Sequence, residues 1–287
     1  MEKSLKTGLI LEGGAMRGMF TAGVLDVFME NGIALDGTVG VSAGATFGCN
    51  YKSGQIGRTI RYNKKYSGDW HYCSLRSLIK TGNLYGADFC YNQIPNELDI
   101  FDLESYRKNP MPFFVVASDC RTGKPVYKEL KNCDADDLTW MRASASMPLA
   151  SEVVRIDGYE LLDGGMTDSI PLKFFEKSGF KRSIVVLTQP RNYIKKPNKL
   201  IGIMKIALRK YPAIVNAMKN RHNVYNEETE YVFEQEKKGN ALVICPEKPL
   251  EISRTEKNPD ELQRVYDEGR KTALAQLDEI RRFISLK

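Results

Sequence analysis

Five short apolar runs recur along this chain, and helical patterns separate them. They are Gly8–Leu11, Thr38–Val41, Phe113–Ala117, Ser183–Leu187 and Ala241–Cys245. Strands of this kind, apolar at every position rather than alternately, are buried on both faces. Strands separated by helices pair in parallel, so the pattern predicts a mainly parallel sheet covered by helices on each side. The first helix follows from Met19, Phe20, Val24, Leu25, Val27 and Phe28 at helical spacing, stopped by Asn31-Gly32. Further helical segments are expected near 134–147, 170–178 and 199–220. Pro212 should kink or split the third of these. A last helix runs from about Asp260 to Ile284, with Asn258-Pro259 at its start. Residues 52–110 are less regular, and with 190–226 they are the expected cap or lid elements.

No internal repeat or low-complexity linker interrupts the 287 residues, so one domain spanning 1–287 is expected. The net charge of +6 is too small to imply nucleic acid, but it suits an anionic surface if the charge is clustered. The six cysteines, at 49, 73, 90, 120, 133 and 245, form no C-x-x-C pair and read as reduced thiols of a cytoplasmic protein. The start, MEKSLKTGLILEGG, lacks the longer apolar region of a signal peptide. No stretch approaches the roughly 20 apolar residues of a spanning helix, so membrane contact is expected to be peripheral.

Two glycine turns carry the chemistry. Leu9–Gly18 reads LILEGGAMRG, a strand, a glycine turn and a helix start. A dinucleotide fingerprint would need glycine at 13, 15 and 18, and position 15 is Ala15; a P-loop would need G-K-[ST]. The turn can instead point the N–H groups of Gly14 and Ala15 at a developing oxyanion, with Arg17 bracing the loop or adding positive field. An ordinary turn before a helix would look the same. The second turn, Gly40-Val41-Ser42-Ala43-Gly44, has G-x-S-x-G spacing. It lies between a strand and a helix of small residues, as a nucleophile elbow requires.

A serine nucleophile needs a proton acceptor, and the chain has two histidines. His222 completes a Ser–Asp–His order, but its setting, KNRHNVYNEE, reads as a solvated helix boundary; His71 is expected to pack with Trp70 and Tyr72. Leu161-Leu162-Asp163-Gly164-Gly165 offers another acceptor at a strand end. Aspartate is a poor base at its ordinary pKa of about 3.9, and burial would make it a better one. A structural turn is the commoner fate of D-G-G.

LEGGAMRG, GVSAG and LLDGG, in this order, together with Arg142–Pro148 (RASASMP), resemble the patatin-like phospholipases. The resemblance covers roughly residues 7–190 and is similar to the bacterial branch. It implies a three-layer α/β/α fold, with the motifs in a core over about 7–190 and a helical, basic extension over about 191–287. It implies a lipid acyl hydrolase, phospholipase A- or lysophospholipase-like, with Ser42 as nucleophile and Asp163 as base. Gly13, Gly14 and Ala15 match the oxyanion loop, supported by Arg17 and Gly18; Gly40, Gly44, Gly164 and Gly165 are motif glycines. No metal or cofactor is implied. The family usually has glycine where this chain has Ala15, and an alanine there is strained if the position needs a positive φ. A small-substrate carboxylesterase, or a non-catalytic lipid-binding regulator on the same fold, are the alternatives.

Between Glu176 and Glu227 there is no acidic residue, while basic residues run from Lys177 to Arg221. LIGIMKIALRKYPAIVNAM (200–218) interleaves apolar and basic residues, and Arg58–Arg76 is also basic and aromatic. Either the apolar face joins the core, or the segment docks on anionic lipid at the inner face of a membrane.

Overall fold

The computed structural model describes residues 5–285. The strands are β1 (Thr7–Leu11), β2 (Gly37–Val41), β3 (Phe113–Asp119), β4 (Lys124–Glu129), β5 (Val154–Ile156), β6 (Tyr159–Asp163), β7 (Arg182–Val186) and β8 (Ala241–Ile244). The helices are α1 (Gly18–Glu30), α2 (Ala43–Ser53), α3 (Arg58–Tyr66), α4 (Leu75–Thr81), α5 (Leu103–Lys108), α6 (Ala135–Ser144), α7 (Leu172–Lys177), α8 (Ile201–Ala207), α9 (Pro212–Lys237), α10 (Pro259–Ala275) and α11 (Leu277–Ser285). All the described strands join one sheet in the order β5-β6-β3-β2-β1-β7-β8, with β4 also on β3. β3, β2, β1, β7 and β8 run parallel. β4, β5 and β6 are antiparallel additions at one side.

Successive residues of a strand face opposite sides, and here both sides are apolar. Leu9 and Leu11 join Ile184, Val186, Leu242 and Ile244 beneath α1, α10 and α11. Ile10 joins Val39, Val41, Val185 and Val243 beneath α7 and α9, through Phe175, Tyr225 and Val232. The result is the expected mainly parallel sheet between two helical layers.

Local departures have identifiable causes. Pro212 splits the expected 199–220 helix, because proline suits the first turn of a helix and not its interior; α9 then continues to Lys237. The expected last helix divides at Gln276 into α10 and α11, and nothing in the sequence explains that break. The irregular 52–110 stretch holds α3, α4, α5 and a π-helical segment, Phe89–Leu98. No helix of the described residues is long and apolar enough to cross a membrane.

Candidate active site

The register around β3 brings the two candidate residues together. One edge of β3 pairs with β4 over its whole length, Phe114↔Glu129 to Asp119↔Lys124. Its other edge is shared. β2 takes the first part and ends with Val41↔Val116; β6 approaches from the opposite direction and ends with Asp163↔Ala117. The two strand ends therefore meet head to head beside adjacent residues of β3. Ser42 follows Val41 directly, so Ser42 and Asp163 face each other at the junction.

Ser42 sits at φ 54°, ψ −120°, a strained elbow that turns β2 into α2. The sharp reversal presses α2 onto β1: a Cβ at Gly44 would stand 2.3 Å from the Leu11 carbonyl oxygen, so only glycine fits. The Ser42 N–H donates to Ser144 Oγ at 3.0 Å, both groups buried. Two residues on, the Ser146 carbonyl accepts the Asp163 N–H at 2.8 Å. RASASMP, the C-terminal end of α6 and the turn after it, thus braces both partners from one side. That bracing was not read from the sequence, although the alternating serines 144 and 146 lay within a motif already singled out.

Asp163 is buried, with 7% of its surface exposed. Its Oδ1 accepts the Gly165 N–H at 2.8 Å, and the Ser118 hydroxyl donates to its carbonyl at 2.7 Å. Burial pushes the Asp163 carboxyl above the usual aspartate range. A hydrogen bond from Ser42, the charges of Arg221 and Arg254, and the Gly165 N–H oppose that rise. Arg221 also donates through Nε to the Gly165 carbonyl.

The first glycine turn lies against the serine. A Cβ on Gly13 would come within 2.8 Å of Ser42 Cβ, so the loop approaches the elbow as closely as backbone allows. Ala15 has φ 50°, so the third loop position does adopt the left-handed region, and an alanine occupies it. The Gly14 and Ala15 N–H groups donate to no described residue. A buried carboxylate unforeseen from the sequence, Glu12, holds the base of the loop. It accepts the Thr188 N–H at 2.6 Å and the Tyr225 hydroxyl at 2.8 Å, and Thr188 Oγ1 donates to the Gly13 carbonyl at 2.9 Å. Arg17 lies in the field of Glu12, and burial lowers its pKa. Gly18 opens α1, and Gly40, Gly44, Gly164 and Gly165 lie at the two strand ends.

His222 is half-buried rather than solvated, and it lines a cavity together with Ser42 and Asp163. Its ring makes no hydrogen bond to either, and its Nδ1 has no partner among the described residues. His71 pairs with Asp69 at 2.8 Å and stacks on Trp70 and Phe89.

Two cavities open from Ser42 and share Ala15, Ser42 and Met147. One, of about 120 Å³, is apolar, walled by Met16, Phe47, Tyr62, Tyr91, Ile94 and Met141. Arg58, its single charged lining residue among the described residues, is paired with Asp99 at 3.2 Å. The other, of about 600 Å³, is lined by the 13–15 loop, Asp163 and basic residues of the 191–287 extension. The described residues hold no group of three or more His, Cys, Asp or Glu side chains arranged for a metal ion.

The patatin-like phospholipase family model matches residues 9–175, more than half of the chain. A domain of unknown function, DUF6363, matches residues 211–285. The uncharacterized protein YjjU of Escherichia coli is 27% identical over 265 residues, covering 85% of this chain and 70% of its own length. An uncharacterized NTE family protein of Mycobacterium tuberculosis is 27% identical, covering 59% of this chain and 45% of its own. Lysophospholipase NTE1 of Meyerozyma guilliermondii is 26% identical and covers 62% of this chain, which spans 12% of that protein. Among solved structures, VipD from Legionella pneumophila matches 96% of this chain and 67% of its own, with a TM-score of 0.48 and 12% identity.

Proposed function

The chain belongs to the patatin-like phospholipase family, and on that premise we propose that it is a lipid acyl hydrolase working through Ser42 and Asp163. The observation that carries the reading is the position of Ser42 at the junction of an apolar and a basic cavity. An amphiphilic ester needs such a division, with its acyl chain on one side of the nucleophile and its polar end on the other.

In this mechanism Ser42 Oγ attacks the acyl carbonyl while Asp163 accepts its proton. The oxyanion is held by the Gly14 and Ala15 N–H groups, helped by the positive N-terminal end of α2. Collapse of the tetrahedral species returns the proton to the leaving alkoxide and leaves an acyl-Ser42. Asp163 then deprotonates a water that attacks the acyl carbonyl, and the carboxylic acid departs with Ser42 restored. Burial of Asp163 supports its role as base, because a carboxylate short of solvation takes a proton more readily. The lysophospholipase named among the relatives agrees with a lipid substrate.

We also propose that the 191–287 extension belongs to the same domain, since β8 extends the sheet and α10 packs on α1. We assign it a peripheral contact with an anionic bilayer at the cytoplasmic face. Met204, Ile214 and Met218 join the core, whereas Ile203 and Ile206 on α8 are 56% and 77% exposed. Lys199, Lys205, Arg209 and Lys210 surround them in sequence, and Leu200 lines the basic cavity. Sedimentation should carry the protein down with anionic vesicles and not with neutral ones, and Ile203→Ser/Ile206→Ser should weaken that binding; equal binding to both vesicle types sinks the idea.

The decisive test is hydrolysis of a p-nitrophenyl acyl-ester series by the natural protein, Ser42→Ala, Asp163→Asn and His222→Ala. The expected result is loss of turnover in the first two, survival in His222→Ala, and a long-chain optimum. A short-chain optimum would favour a small-ester carboxylesterase. Loss in His222→Ala with the fold intact would make the histidine the base.

A further inference from the structure

The larger cavity at Ser42 carries an unbalanced charge. Six basic side chains line it, those of Arg17, Lys195, Lys196, Lys199, Arg221 and Arg254, against two acidic ones, Glu12 and Asp163. Even with both carboxylates charged, the acidic pair offsets only part of this charge: Glu12 is bonded to Thr188 and Tyr225, and Asp163 accepts the Gly165 N–H. None of the six cations forms an ion pair with a described residue. A surface can carry a charge run in water at little cost. Arg17, Lys195 and Arg221 are half-buried, and there the cavity walls remove solvent and leave the repulsion less screened, while Lys196, Lys199 and Arg254 stand exposed around them.

Signs of that repulsion are present. Burial and the charges of Arg221, Arg17 and Arg254 bring the Lys195 ammonium down to about 7, with only Glu12 opposing. Lys195 Nζ rests on the face of the Tyr225 ring, 3.9 Å from its centroid, in place of an anion. Arg17 Nε and His222 Nδ1 are buried without a hydrogen-bond partner among the described residues, and both residues line this cavity. These features favour an anion in the cavity.

We propose that the cavity is a subsite for the phosphate of a lipid headgroup with net negative charge, held by Lys195, Arg221 and Arg254 while the ester lies at Ser42. The proposal rests on the acyl-hydrolase reading and extends it to the class of headgroup. Phosphate is favoured because guanidinium forks and an ammonium converge from separate segments, residues 195, 221 and 254, and a tetrahedral anion accepts donors from several directions. A headgroup bearing choline or ethanolamine would bring its own cation against these six. A phosphate monoester, or a diester to an uncharged alcohol, would not. Residues 195, 221 and 254 all lie outside the 9–175 match, and 221 and 254 fall within the 211–285 match, so the subsite draws on the extension rather than on the patatin-like core.

The test separates binding from turnover. In a Ser42→Ala background, isothermal titration compares 1-acyl-glycerol 3-phosphate with the monoacylglycerol of the same chain, both as monomers. The phosphate-bearing lipid should bind at least tenfold more tightly. Arg254→Gln and Lys195→Gln in that background should each remove most of the preference. Arg254 is exposed and its side chain has no described partner, so its replacement leaves the fold undisturbed. Equal affinity for the two lipids, no binding of either, or a preference that survives both substitutions would overturn the proposal. Inorganic phosphate is titrated as a separate arm. Affinity equal to that of the phosphate-bearing lipid would assign the cavity to a free anion and also overturn it. Turnover of both lipids by the protein carrying Ser42 is measured in parallel. No turnover of either would reject the hydrolase reading and leave the binding result to stand by itself.

Discussion

Replacing Ser144 by alanine should cripple turnover although Ser144 touches no substrate. Its hydroxyl accepts the Ser42 N–H at 3.0 Å inside the protein, and Ser144 is fully buried. Ser144→Ala leaves that N–H without a partner, which costs about 1–3 kcal/mol. The elbow at φ 54° stores strain of about 1–3 kcal/mol of its own, so an orphaned amide gives the elbow reason to relax. Two effects follow. The melting temperature should fall by between about 2 and 12 °C, taking about 2–4 °C per kcal/mol for a chain near this size. A displacement of Ser42 by about 1 Å should lower kcat about 100-fold. KM should hold, because Ser144 lines neither cavity. Ester hydrolysis with kcat and KM resolved, beside a circular-dichroism melt, reads both. Ser146→Ala is the matched control, since the Ser146 hydroxyl bonds only the Arg142 carbonyl and it is the Ser146 backbone that reaches Asp163; it should cost far less kcat. A Ser144→Ala protein that melts lower yet keeps the natural kcat would refute the positioning argument, and one unchanged in both would refute the hydrogen bond itself.

Ala15→Gly should stabilise the fold by up to about 1 kcal/mol with activity retained. A left-handed alanine costs about 1–2 kcal/mol, partly offset by the added freedom of glycine in the unfolded chain; a lower urea midpoint would contradict the strain. Asp163→Asn should abolish hydrolysis yet raise the melting temperature at neutral pH. Burial raises the folded carboxyl above its unfolded value, so the folded state binds the proton more tightly, and the penalty vanishes as pH falls through the folded pKa. For the same reason kcat/KM of the natural protein should decline on the acid side above the ordinary aspartate range; a decline only near the ordinary value would contradict the burial argument. Ending the chain after residue 190 should prevent folding. Ile244, Leu262, Val265 and Ala273 are fully buried, and each large apolar side chain contributes about 1.5–3 kcal/mol against a total stability of about 5–15 kcal/mol. A folded, active 1–190 fragment would divide the chain into two units.

The sequence by itself determined the local chemistry: the strand runs, the two glycine turns, the break at Pro212 and the D-G-G at a strand end. Each depends on a few neighbouring residues whose backbone preferences are already decided in the chain. The family likeness, carried by three short motifs, followed from the same windows. Tertiary structure alone decided the rest, because long-range pairing is not written in any one window. Ser42 and Asp163 meet because β2 and β6 end against adjacent residues on one edge of β3. Ser144 matters because α6 ends beneath the elbow, and Glu12 because Tyr225 arrives from α9. The run of lysines and arginines from 177 to 221 read equally well as a solvated face. Folding gathers Lys195 and Arg221 with Arg17 and Arg254, from segments far apart in the chain, around a single cavity at Ser42. Their meaning is electrostatic, and it arises only where the fold brings them together around one partly enclosed space.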